Sequence, residues 1–125
     1  MTTAAATPTL YDRLGRKDGI TRIVNDVVDA HLANPLVSAR YQVVKDTDRL
    51  RTMAIEFFCA RSGGPEPYTG RDMLTTHKGM NISEQEYMGV MDDILGTLEK
   101  HEIDPGTRGE VSAILYSLKG DILRV

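Results

Sequence analysis

Three histidines, one cysteine and one well-placed methionine are the side chains here whose chemistry could hold a metal or carry a proton. His31, His77 and His101 make no H-x-x-x-H or H-E-x-x-H pair and Cys59 stands alone, so a self-contained zinc site has no support. No G-x-S-x-G elbow presents a nucleophilic serine, which leaves hydrolase chemistry without positive evidence. His77 is the distinctive residue. It follows the Gly/Pro run from Ser62 to Gly70, shares a short segment with Met73, and has aromatic and methionine-rich stripes on the neighbouring segments. A lone histidine is more often a surface or capping residue than a ligand, and residue type alone names no ligand here.

The segments that must position His77 read as helices. Ile20, Ile23, Val24, Val27, Val28, His31 and Leu32 recur at the 3-4 spacing of one buried helical face, predicting a helix over 18–33 that Asn34-Pro35 ends. A short turn at 10–14 precedes it. Asp46-Thr47-Asp48 offers N-caps for a second stripe of Leu50, Met53, Ala54, Phe57 and Phe58. The two glycines and two prolines between Ser62 and Tyr68 then break all periodicity, and residues 72–78 make at most two helical turns. Ser83 and Glu86 form a capping box ahead of Tyr87, Met91, Ile94, Leu95 and Leu98. Asp104-Pro105 starts the last stripe, Val111, Ile114, Leu115, Leu118 and Ile122. No segment alternates with period two long enough for a strand, so the domain is predicted all-α.

Composition bounds the function. A chain of 125 residues with 41% hydrophobic and 26% charged side chains has material for one core and not two. Residues 1–9 read as a loose Ala/Thr tail and 10–125 as the domain. With 15 Lys+Arg against 18 Asp+Glu and no basic run, nucleic acid is a poor partner. No apolar stretch reaches the roughly 20 residues of a membrane span, and the N-terminus lacks the basic and apolar regions of a signal peptide. A single cysteine suits a reducing compartment, so a cytoplasmic location is expected.

Over Leu10 to Ile122 the residues carry a specific resemblance. Leu10-Tyr11-Asp12-Arg13-Leu14-Gly15, Phe57-Phe58, the run from Gly63-Gly64-Pro65-Glu66-Pro67-Tyr68 to Thr69-Gly70-Arg71-Asp72-Met73, then His77 and Ile82 resemble the group I truncated haemoglobins. The resemblance implies a two-over-two helical sandwich, the first two long helices crossing the last two, with haem b (iron protoporphyrin IX) between the layers. It implies His77 as the proximal iron ligand, in line with neutral imidazole as the usual protein donor to haem iron. Leu50, Met53, Ala54, Phe57, Phe58, Met73, Ile82 and Tyr87 would surround the haem, with Tyr41 stacked on its face. Arg49, Arg71 and Lys78 would flank it as solvated charges able to neutralise propionates.

The departures from the pattern lie on the ligand side. The family's Phe-Tyr pair is Val27-Val28 here, and its glutamine is Ala54, so two hydrogen-bond donors are missing and Val28, Leu50 and Ala54 make an apolar distal pocket. Arg40-Tyr41 replaces a Phe-Phe pair, Gly15-Arg16 replaces Gly-Gly, and one extra residue lies between Gln42 and Asp46. Met53 falls where some relatives supply an internal iron ligand; core packing between Leu50 and Phe57 is the competing role. His31 reads as a satisfied core histidine unless its helix is rotated, His101 as a surface residue, and Cys59 as a small core residue.

The leading functional expectation is therefore a haem protein that binds O2, NO or CO opposite His77, in oxygen binding, transport or NO handling. Two others stand beside it: a six-coordinate His/Met protein for electron transfer or peroxidase-like chemistry, served by a reductase, and a haem-free helical scaffold. The missing tyrosine weakens the case for NO dioxygenase activity.

Overall fold

A computed structural model describes residues 7–125; part of the expected N-terminal tail, residues 1–6, lies outside the described residues. Every regular element described is helical: α1 Leu10–Arg13, α2 Arg16–Ala33, α3 Ser38–Gln42, α4 Thr47–Arg61, α5 Met73–His77, α6 Glu84–Lys100, α7 Pro105–Ser117 and α8 Lys119–Ile122. The polar side chains expected to start helices do so. Asp46 accepts from the Arg49 amide, Ser83 and Glu86 close a reciprocal capping box, and Asp104 caps α7 with Pro105 in its first turn. Thr9 makes a second capping box with Asp12, so the chain is already ordered at that residue.

α2 is the central element. It packs against α4 on one side and crosses α6 on another, while α6 pairs with α7, giving two helices laid over two. The stripe Ile20, Ile23, Val24, Val27 and Val28 is buried with Tyr87, Met91, Ile94, Leu98, Val111 and Leu115, at about 1.5–3 kcal/mol for each large side chain removed from water. No described helix is long and apolar enough to cross a membrane.

Three features differ from the sequence expectation. The last stripe is not one helix: the chain breaks at Leu118, and α8 turns away to pack under α5. Segment 38–42, unassigned above, is a helical turn, α3, resting on α2. α2 starts at Arg16 with Gly19 inside it, because the turn at 10–14 feeds straight into it through the left-handed Gly15. The C-terminus then ties down the segment after His77. The Val125 carbonyl accepts from the Gly79 and Asn81 amides, and Arg124 N–H donates to Ile82 O.

Candidate functional site

His77 ends α5, a helix of five residues that starts because Asp72 accepts from the Thr75 amide at 2.8 Å. Its Nδ1 lies 2.8 Å from the carbonyl oxygen of Met73, one turn back. A carbonyl only accepts, so Nδ1 carries the proton and Nε2 is left with a lone pair. This is how a metal-binding histidine is normally oriented.

The loop before α5 is held at both ends. Tyr11 donates its hydroxyl to Glu66 at 2.8 Å, which raises the tyrosine pKa, and Thr69 donates to Glu56 through its amide and hydroxyl. Gly63 has φ +94, a left-handed turn. Gly64 is there for a different reason. A Cβ on it would stand 2.5 Å from the Tyr11 ring and 2.8 Å from the Cys59 carbonyl.

A cavity of about 170 Å³ lies between the two helical layers, bounded by Val28, Ala54, Phe57 and Phe58 on one side and by Met73, His77, Tyr87 and Val90 on the other. Tyr41 and Leu50 complete it. A second cavity of about 220 Å³ shares Tyr41, Leu50, His77 and Val90 with the first and adds Ile82, Met80 and Val44. A third, of about 360 Å³, opens outward past Leu50 and Met53 to Arg49 and Arg71. Shared walls make these one cleft. α4 shows it too: although its sequence stripe is strongly apolar, Leu50, Met53, Ala54, Phe57 and Phe58 are all only half-buried, and Cys59 on the opposite face is fully buried.

Most residues singled out in the sequence thus come together around His77. Ile82 reaches only the second cavity and Met53 only the third, so neither shares the innermost space with Val28 and Ala54. Tyr87 offers the cavity its ring, its hydroxyl being committed to the Leu115 carbonyl. Burial pushes the Tyr41 hydroxyl up to about 12, with Asp93 adding to the rise, so it stays a neutral phenol.

His31 does more than fill the core. It is 4% exposed and its Nδ1 pairs with Asp93 Oδ2 at 2.7 Å, so it is satisfied as expected, but it also lines the cavity with the helix in its observed rotation. Its ring stacks on Tyr41, centroids 4.8 Å apart. Burial lowers its pKa, against the opposing pull of Asp93. His101 is not a free surface residue; its Nε2 meets Asp26 at 2.7 Å and fastens the end of α6 to α2. Burial raises the Cys59 thiol, as befits a core residue. Val90 and Met80 were missed in the sequence. Val90 lies one turn from Tyr87 on α6, a spacing that would have found it, whereas Met80 sits in an irregular segment with no period to read.

The comparisons with known proteins agree with this geometry. The model of the bacterial-like globin family matches residues 9–124. A group 1 truncated haemoglobin, GlbN, of Mycolicibacterium paratuberculosis is 27% identical over 113 residues, covering 90% of this chain and 82% of that protein. A crystal structure of truncated haemoglobin from Tetrahymena pyriformis in the Fe(III) form superposes with a TM-score of 0.89 at 23% identity, covering 94% of this chain and 99% of the other. The 2/2 haemoglobin of Synechococcus, solved in the cyanomet state with covalently attached haem, gives a TM-score of 0.83 at 21% identity, covering 92% and 98%. With a family match running over nearly the whole length and a two-over-two fold built around one histidine-lined cleft, the chain belongs to the bacterial-like globins.

Proposed function

We propose that the protein is a haem-binding globin that takes diatomic gases at the iron, with His77 as the proximal ligand. Membership of a globin family implies haem, and the residues present fit it. The observation that carries the reading is the orientation of His77: its Nδ1 proton is fixed on the Met73 carbonyl, and its remaining nitrogen belongs to a side chain lining a cleft walled by half-buried apolar residues. Arg49 and Arg71 stand at the open end, where propionates would meet positive charge, and neither has a carboxylate partner among the described residues. The one cysteine is fully buried on α4 and faces away from the cleft, which favours haem b held without a thioether bond. When bound, the haem supplies the iron that binds the gas; the chain orients it through His77 and keeps water away with Val28, Ala54, Phe57 and Leu50. O2 gains negative charge on binding and is favoured by a donor, whereas CO and NO need one much less. Oxygen binding or NO handling, in the cytoplasm, is the role we assign.

Titration of the purified chain with haemin tests this reading. A Soret band saturating at one haem per chain supports it, and a reduced spectrum of a five-coordinate histidine haem supports the ligand assignment. A protein that stays colourless in excess haemin is a scaffold and not a haem globin.

A further inference from the structure

Val28 and Ala54 leave the cavity without donors at those positions, but a histidine remains in its wall. His31 is held from behind: its Nδ1 meets Asp93 Oδ2 at 2.7 Å, and Asn34 Nδ2 donates to both oxygens of the same carboxylate at 3.1 and 3.2 Å. A carboxylate accepts, so the proton sits on Nδ1 and Nε2 keeps its lone pair. That nitrogen has no hydrogen-bond partner among the described residues, although the side chain is 4% exposed and lines the cavity together with His77. Stacking on Tyr41 fixes the plane of the ring. A histidine in a cavity wall with one ring nitrogen pinned by a carboxylate and no hydrogen-bond partner on the other has the arrangement of a general base.

We propose that His31 is the proton acceptor of the ligand cavity, positioned by Asp93, and that the oxidised protein is thereby suited to small weak acids of the type H–X, such as hydrogen cyanide, hydrogen sulfide or hydrogen peroxide. The inference rests on the haem reading above. With haem bound, its ferric iron would supply the site for the anion; the H–X bond would break with its electron pair left on X, and the proton would form an N–H bond at Nε2 of His31. No electron is transferred. The imidazolium then donates that hydrogen back toward the anion while Asp93 balances its charge. An acceptor nitrogen does nothing for O2 or CO, which bring no proton.

Cyanide association with the ferric protein and CO association with the ferrous protein, measured by stopped flow after haem loading has been verified, test the idea. In His31→Leu the cyanide rate is expected to fall about a hundredfold, the scale of a lost general base, with the CO rate nearly unchanged. Asp93→Asn serves if that variant fails to fold. Its amide would donate to Nδ1 and move the proton to Nε2, so cyanide association should fall while O2 release from the ferrous protein slows. Opposite signs for the two ligands do not arise from a packing defect. 15N NMR of the diamagnetic CO form should find the Nδ1–H tautomer at His31 in the wild type and the Nε2–H tautomer in Asp93→Asn. Cyanide rates matching wild type, cyanide and CO rates falling in parallel, or a wild-type His31 protonated on Nε2 overturn the proposal and leave the haem reading standing. A chain that refuses haemin overturns both.

Discussion

The Nδ1 of His77 and the carbonyl oxygen of Met73 lie 2.8 Å apart within a single five-residue helix. The orientation of the His77 ring is therefore set by local backbone geometry, and no distant carboxylate is needed to fix it. His77→Ala should abolish tight haem binding and leave helix content close to wild type, since the side chain is only half-buried and belongs to no core layer. Haemin titration and far-ultraviolet circular dichroism check this; stoichiometric haem with an unchanged spectrum would remove His77 from the ligand role.

Val28 faces the same cavity as His77 from the opposite layer. Val28→Tyr should slow O2 release by restoring a donor worth about 0.5–1.5 kcal/mol, which is roughly two- to tenfold in rate. Laser photolysis or stopped-flow displacement reads it. An off-rate equal to or faster than wild type would mean that residue 28 does not meet the gas.

Met53 lines the outward cavity with Arg49 and Arg71 and not the space it would need to share with His77. The reduced wild-type protein should accordingly be high-spin, and Met53→Leu, a volume-conserving change, should leave the spectrum alone at a stability cost below about 1.5 kcal/mol. A low-spin reduced spectrum that turns high-spin in Met53→Leu would instead make Met53 the sixth ligand.

Gly64 is packed against Tyr11 and the Cys59 carbonyl, so Gly64→Ala should destabilise by about 1–3 kcal/mol in urea unfolding. Gly109, exposed inside α7 with nothing within 4 Å of a would-be Cβ, is the control. Gly109→Ala should stabilise by about 0.5–1 kcal/mol. Equal effects at the two positions would contradict the packing.

Acid should weaken the helix starts. Asp72 and Asp104 are held below the usual 3.8 by hydrogen bonds from Thr75 and Thr107. Because the folded pKa is lower than the unfolded one, their contribution is complete above about pH 4 and fades as pH falls through the lowered folded values. Thermal melts across pH 3–7 should show Tm dropping at the acid end, with a shallower drop in Asp104→Asn, which keeps a cap but cannot titrate. An identical acid limb in the variant would exclude Asp104 as a contributor.

The sequence determined on its own what depends on near neighbours. Helix periodicity, capping residues and the Gly/Pro loop are local signals, and they placed α2, α4 and α6 to within a few residues and set His77 just behind its loop. Short runs spread from Leu10 to Ile82, the Gly63 to His77 span the most specific of them, carried the family resemblance. What needed the tertiary structure were relations between residues far apart in the chain. Leu118 continues the last apolar stripe in register, yet the helix breaks there and α8 packs against α5, a contact no local pattern encodes. Met53 and Ala54 are adjacent in sequence but line different cavities, since neighbouring residues on a helix point about 100° apart. His31 read as core and is core. Its second character, a base facing the ligand space, exists because α6 brings Asp93 to its Nδ1 across 62 residues of chain.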